Sequence, residues 1–270
     1  MAVNILEQLA EHARERVAEA KRRIPPEEMK AKAFAIAAAE RQAATAAEFT
    51  FPFEQALRGE RMAFICECKK ASPSKGLIAP DFPYLEIAKS YEAAGAQAIS
   101  VLTEPKWFLG SDQYLKEIAD AVKIPCLRKD FTVDEYMIYE AKTLGASAVL
   151  LICALLDTET LRRYIRICDS LGLSALVEAH DEAEVRSAVD AGARIIGVNN
   201  RNLKDFTVDF SNSIRLRSLI PEDVIFVAES GVRTRADVEL LRAHKVDAAL
   251  IGETLMRAPD RRAMLEALRG

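Results

Sequence analysis

Between Met62 and Ile251 the chain repeats one pattern eight times: a short apolar, β-branched run, a turn, then a stretch of helical periodicity. The runs fall at 62–68, 98–102, 125–128, 148–152, 174–177, 195–198, 224–228 and 248–251, with starts about 21 to 36 residues apart, the length of one βα unit. Several are preceded by a similar helix-exit phrase (AAGAQA, TLGASA, SLGLSA, DAGARI), whose glycines suit the position just past a helix C-terminus. Eight consecutive units without a long interruption favour an α/β fold of one kind, a closed (β/α)8 TIM barrel. An open doubly wound sheet would show six or so strands and a glycine-rich dinucleotide turn, and no GxGxxG follows the first run.

Residues 1–60 have a different texture. Ile5, Leu9, Ala13 and Val17 recur every four residues, with Glu and Arg between them, which predicts an amphipathic helix that Ile24-Pro25-Pro26 ends. Pro26, Glu27 and Glu28 then mark a helix start, and 29–47 reads as a second, Ala-rich helix. The expectation is a single barrel domain over 1–270, of which 1–60 is an N-terminal helical extension.

Charge narrows the partners. With 37 Lys+Arg against 41 Asp+Glu the net charge is −4, and the cations are dispersed, which argues against nucleic acid. Apolar runs such as 148–156 are too short to span a bilayer, and Glu7, Glu11 and Arg14 interrupt the N-terminus before any signal-like stretch forms. A soluble, cytoplasmic monomer is expected, with no membrane or nucleic-acid partner. Five cysteines, an odd number scattered through apolar runs, read as reduced thiols. His12, His180 and His244 lie too far apart for a metal motif, so no metal is implied.

A parallel barrel strand is covered on both faces and should be apolar except where its carboxyl end opens into the mouth. Here those ends are polar: Glu67-Cys68-Lys69, Lys129-Asp130, Glu178, Asn199-Asn200-Arg201, Glu229-Ser230-Gly231 and Gly252-Glu253. Alternation puts Ile65, Glu67 and Lys69 on one face and Cys66 and Cys68 on the other, facing the helices. Leu127 with Lys129, Leu176 with Glu178 and Val227 with Glu229 repeat the motif of an apolar interior residue followed by an ionisable one. A single strand can end in a solvated charge for no special reason, but five ionisable positions from four strands on one parity point to a cluster. Two lysines and three carboxylates in a partly desolvated mouth couple electrostatically and suit acid–base chemistry. The turns at Ser230-Gly231 and Gly252-Glu253 stand where such barrels hold phosphate through main-chain N–H groups, which points to a phosphorylated small molecule.

The segment ECKKASPSKG at 67–76 resembles the ExKxxSPSxG signature of the indole-3-glycerol-phosphate synthase family. LTEPKWFLG (102–110), LRKDF (127–131), LVEAH (176–180), GVNNRNL (197–203), AESGV (228–232) and LIGETLM (250–256) follow in the family's order, so the resemblance spans essentially the whole chain. It implies a carboxy-lyase of tryptophan biosynthesis that needs no cofactor. The substrate would be 1-(2-carboxyphenylamino)-1-deoxyribulose 5-phosphate, cyclised, decarboxylated and dehydrated to indole-3-glycerol phosphate. Carried over by position, Lys129 is the general acid at the ketone, with Glu67 paired to it. Glu178 and Lys69 serve the dehydration, the division of steps between the two lysines being open. Glu229 holds the polar network, and Asn199 and Arg201 contact the substrate's polar groups. Ser72 with Lys69 meets its carboxylate or phosphate, while Ser230, Gly231, Gly252 and Glu253 donate main-chain N–H groups to phosphate. Phe108, Phe131 and Leu203 form the aryl slot, with Trp107 either a plug or a contact. The acidic side chain of Glu253 is awkward beside a dianion unless it points outward. The residues alone leave two alternatives open: a Schiff-base aldolase using Lys129 or Lys69, and a non-catalytic phosphosugar-binding barrel.

Overall fold

The computed structural model describes residues 5–43, 51–59, 61–202 and 206–270. Eight strands close a parallel barrel: β1 (Ala63–Cys68), then β4 (Ala98–Leu102), β5 (Cys126–Lys129), β6 (Ala148–Ile152), β7 (Ser174–Ala179), β8 (Ile195–Asn199), β9 (Ile225–Glu229) and β10 (Ala248–Ile251). Two-residue strands β2 (Ala71–Ser72) and β3 (Gly76–Leu77) pair as a small hairpin inside the loop that follows β1. Closure comes from β1 pairing with both β4 and β10, so the barrel itself has no open strand edge.

Helices α1 (Ile5–Arg23), α2 (Pro26–Ala43) and α3 (Pro52–Leu57) precede the barrel. Its outer layer is α4 (Tyr84–Ala93), α5 (Asp112–Ala121), α6 (Glu135–Thr143), α7 (Thr158–Leu171), α8 (Glu182–Asp190), α9 (Ser211–Leu216) and α10 (Arg235–Ala243), with α11 (Glu253–Met256) and α12 (Arg261–Arg269) after β10. Helix starts are set by side-chain caps: Ser111, Asp134, Asp157, Asp181, Thr234 and Asp260 each accept a backbone N–H from the first turn. At the exits, the glycines of the four recurring phrases, Gly95, Gly145, Gly172 and Gly192, all hold the left-handed conformation that ends a helix cheaply.

Alternation along the strands divides the core in two. Ala63, Ile65, Leu127, Leu150, Leu176 and Val227 fill the barrel interior, while Phe64, Cys66, Cys68, Val149, Val177 and Phe226 pack beneath the helices. All five cysteines are free, and burial pushes the Cys66 and Cys168 thiols above their ordinary range. Strand bounds differ from the sequence expectation by a residue or two, chiefly because β5, β7, β8 and β9 run on into the polar residues of the mouth. The helical preface holds one element more than expected. Pro52 opens α3, whose Phe53 and Leu57 seal the barrel interior at its amino end, far from the polar strand ends. The end of the predicted second helix, 44–47, lies outside the described residues.

Helix α1 is held across the opposite end. Its Leu6, Leu9 and Ala13 join the interior cluster, and Arg16 bonds Asp130 through two nitrogens at 2.6 and 3.0 Å. Helix α2 instead lies on the outside of α6, where Glu40 pairs with the buried Lys142. Among the described residues, no helix is long and apolar enough to cross a membrane.

Candidate active site

Ionisable residues at the carboxyl ends of β1, β5, β7 and β9 meet in one cavity of about 420 Å³. Glu67 and Lys69 come from β1 and the residue just past it, and their side chains bond at 2.5 Å. Lys129, at the end of β5, sits between two carboxylates, 3.0 Å from Glu178 Oε2 on β7 and 2.7 Å from Glu229 Oε2 on β9. Asn199 of β8 donates from Nδ2 to Glu178 Oε1 at 3.2 Å and accepts the Arg201 N–H on its own Oδ1. Barrel closure, rather than any local motif, makes these contacts, since Lys129 and Glu229 are 100 residues apart.

One expected pairing is different. Glu67 bonds Lys69 and the Ser100 hydroxyl, not Lys129, whose two partners are Glu178 and Glu229. Lys69 is two residues from Glu67 on the same face and reaches its carboxylate first, leaving Lys129 to the carboxylates of the other half of the barrel.

Burial alone would lower the Lys129 pKa, but Glu178, Glu229 and Glu67 overcome it and hold the amine protonated beyond the usual lysine range. The two acids that share it separate. Burial opposes the Glu178 carboxylate, yet Lys129 and His180 hold it ionised well below the usual range. Burial pushes Glu229 up to about 7, with Glu178 adding to the rise against the pull of Lys129. Environments that drive two neighbouring acids apart are the pattern by which one fold keeps both a base and an acid near neutral pH.

The raised Glu229 has a consequence for stability. A carboxyl with a raised folded pKa keeps a proton that the unfolded chain has lost, so its contribution falls as pH rises from about 4.5 through 7. Glu229→Gln is therefore expected to raise stability at pH 8 by about 1 kcal/mol, roughly 2–4 °C in Tm, with the gain vanishing by pH 4.5. Calorimetry at the two pH values checks this, and an equal shift at both would refute it.

Beside the charged cluster lies an apolar slot. Phe108 and Phe131 face each other with ring centroids 6.0 Å apart, and Ile5, Leu6 and Leu9 of α1 complete the wall. Phe108 is placed by Glu104, which is fully buried and accepts the backbone N–H groups of Lys106, Trp107 and Phe108 while bonding His12 of α1 at 3.0 Å. Trp107 turns away from the cavity and stands edge-on to the His12 ring. Leu203 lies outside the described residues.

On the far side, Ser72, Arg201, Ser230, Gly231, Gly252 and Glu253 line the same cavity. Ser230 and Gly231 both take positive φ, 65° and 94°, turning the chain sharply after β9. The Glu253 carboxylate is drawn off to Arg257 at 3.1 Å and Lys75 at 3.7 Å, so its charge is balanced by cations on the neighbouring turn and on the β1 loop.

The set of mouth residues read from the strand ends misses two positions, Gly197 and His180. Gly197 of β8 faces inward, and a Cβ there would fall on Glu229 Oε1. Gly252 stands in the same relation to Glu67 Oε1 and Lys69 Nζ. Glycine inside a buried strand is itself the signal of a close approach. His180 is the other omission, two residues past Glu178 and on its parity, and its Nε2 lies 3.3 Å from Glu178 Oε1.

Comparison with known proteins agrees with this geometry. A family model described as "Indole-3-glycerol phosphate synthase" matches residues 6–268. A protein of that name from Ruminiclostridium cellulolyticum is 66% identical over 220 residues, 82% of this chain and 85% of the relative. Another from Lachnoclostridium phytofermentans is 49% identical over 267 residues, 98% of each. Among solved structures, 3-hexulose-6-phosphate synthase from Salmonella typhimurium shares the fold with a TM-score of 0.62 at 15% identity, over 77% of this chain and 97% of that one. Matched nearly end to end in sequence and carrying the charged mouth on a closed barrel, the chain belongs to the indole-3-glycerol phosphate synthase family.

Proposed function

We propose that the mouth cluster carries out the family's reaction with the roles that follow, and that the placement of Lys129 between two buried carboxylates beside an aromatic slot supports this reading best. The anilino ring of 1-(2-carboxyphenylamino)-1-deoxyribulose 5-phosphate lies between Phe108 and Phe131. Ser230, Gly231, Gly252 and Glu253 receive its phosphate with main-chain N–H groups, and Ser72 and Arg201 meet its remaining polar groups.

Ring closure forms a bond from the carboxylate-bearing aryl carbon to the ketone carbon, and the carbonyl electron pair moves to oxygen. Lys129 gives that oxygen a proton. The developing alkoxide is a stronger base than an amine, so the transfer runs downhill even from a lysine held firmly protonated. Loss of CO2 returns the bonding pair to the ring and restores aromaticity. Dehydration then needs a proton on the leaving hydroxyl, supplied by Lys69, and removal of a proton from the adjacent carbon, accepted by the ionised Glu178. Glu67 steers Lys69 as Glu229 steers Lys129, and Asn199 orients Glu178.

Ion pairing disfavours the Schiff-base alternative, because a nucleophilic lysine must present a free amine and both lysines are engaged by carboxylates. The protein is read as one domain over 1–270 with 1–60 as its helical extension, acting as a cytoplasmic monomer without metal, cofactor or nucleic acid. The test is turnover of the anilino-ribulose phosphate with no metal or nucleotide added, followed by the fluorescence of the indole product. Folded protein that yields no product overturns the reading.

A further inference from the structure

Behind Glu178, on the side away from the cavity, stands His180, which lines no part of the pocket and has no place in the steps above. It follows β7 directly and is locked in position at three points. Its backbone N–H donates to Glu184 Oε2 at 2.7 Å, its carbonyl accepts from Asn212 Nδ2 of α9 at 3.0 Å, and its ring Nδ1 lies 3.0 Å from the same Glu184 oxygen. Glu184 is fixed in turn by the first turn of α8, where its own N–H donates to the cap Asp181.

The other ring nitrogen, Nε2, is buried and points at the back of Glu178, 3.3 Å from its Oε1 and off the line of a good hydrogen bond, with no other acceptor among the described residues. A histidine with a carboxylate at each nitrogen cannot satisfy both as a neutral ring, since the bare nitrogen would then present a lone pair to an anion. Only the imidazolium presents a proton to each. The charged groups around it agree. Glu178 on β7 and Glu184 on α8 face it, Lys129 on β5 lies beyond Glu178, and Asp181 is at the α8 cap, while the Cys153 thiol is taken by the Glu184 carbonyl. Burial works against the charge, and the two carboxylates overcome it, pushing the His180 pKa up to about 10.

Charge balance inside the mouth favours such a group once Glu229 ionises above about pH 7. Glu67 and Lys69 cancel, and Lys129 cancels Glu178; ionised Glu229 then adds one buried negative charge, while Glu184, which holds His180 from its other side, stays partly in solvent. We propose that His180 is a positioning residue for the reaction: as an imidazolium held by Glu184, it supplies the second cation that keeps Glu178 ionised and fixes its Oε1 edge, so that Lys129 can give up its proton without leaving Glu178 unpaired. The role assigned to Glu178 rests on the function proposed above. A link of this kind connects the start of α8 to the reacting centre without touching the substrate.

The experiment has two arms, one independent of turnover. In 15N-histidine-labelled protein, long-range 1H–15N correlation spectra, with the His180 signals identified by their loss in His180→Gln, are expected to show both nitrogens protonated at pH 8. Titration midway near the ordinary 6.5 would overturn the proposal whether or not the protein turns over substrate. In the second arm, His180→Gln keeps a donor near Nε2 but removes the charge. Its kcat is expected to fall about tenfold at neutral pH, and the acidic limb of its kcat–pH profile to move up by about one unit, with KM within about twofold. A purely structural role would lower kcat without moving that limb, so an unmoved limb overturns the proposal as well. Wild-type protein with no activity would instead defeat the functional reading and leave the spectroscopic arm to decide the imidazolium.

Discussion

Lys129→Ala is expected to lower kcat by about three to four orders of magnitude, near the upper limit for removing a single acid–base group. The change withdraws the proton donor and also frees Glu178 and Glu229 from the cation they share. Two buried carboxylates left facing each other rise in pKa and take up a proton, which limits the loss of stability to about 3 kcal/mol. The fold should survive, because the interior layers below the mouth, from Leu127 through Leu176 and Val227, do not involve the amine. Phosphate affinity should also survive, since Ser230, Gly231 and Gly252 stand on the other strands' ends. Single-turnover kinetics, with inorganic phosphate titrated by calorimetry as the control, checks both halves. Activity within tenfold of the wild type removes Lys129 from its assigned role. Arginine should not rescue, because a planar guanidinium does not release its proton at neutral pH.

Gly197→Ala is expected to be nearly as damaging, although it touches no substrate. The backbone at 197 is ordinary strand conformation, so alanine fits the chain; what it lacks is space. The new methyl lands on Glu229 Oε1 and within 3.1 Å of Leu176 Cδ1. Leu176 is fully buried and cannot retreat, so the carboxylate swings off Lys129. A displacement of about 1 Å at a catalytic group costs roughly a hundredfold in rate, and overpacking costs about 1–3 kcal/mol of stability. Gly197→Ala combined with Glu229→Ala separates the two effects: stability should return while kcat remains low. If the single variant keeps wild-type kcat, the close approach is not what positions Glu229.

Periodicity was a reliable guide wherever one residue's direction followed from its own strand. The eight runs, the four helix-exit glycines and the inward parity of Glu67, Lys129, Glu178 and Glu229 all follow from period two or from turn chemistry, which are local. Pairing is not local. That Lys129 meets Glu178 and Glu229 rather than Glu67 depends on where the barrel closes, and strand directions alone leave each lysine facing three carboxylates. Helix α3 was hidden because six residues are too few for a helical period to declare itself, and only Pro52 marks it. Gly197 was legible in principle as a glycine within a buried run, but what it makes room for is set by a strand 30 residues on. As a metal ligand His180 is ruled out by its isolation from the other histidines; as the partner of a carboxylate two residues away, isolation is no obstacle.

Glu67, Lys69 and Lys129 belong to the first half of the barrel and carry one positive charge in excess, whereas the two acids that Lys129 pairs with, Glu178 and Glu229, belong to the second half. The first half-barrel cannot neutralise its own mouth. Burying the first set without the second means desolvating an unpaired cation, which costs several kcal/mol, so the groups that do the chemistry also penalise a sheet that stops short of β7 and β9. The ion pairs of the mouth thereby tie the middle of the sequence to its last third, joining β5 to β7 and β9 at the very positions that react.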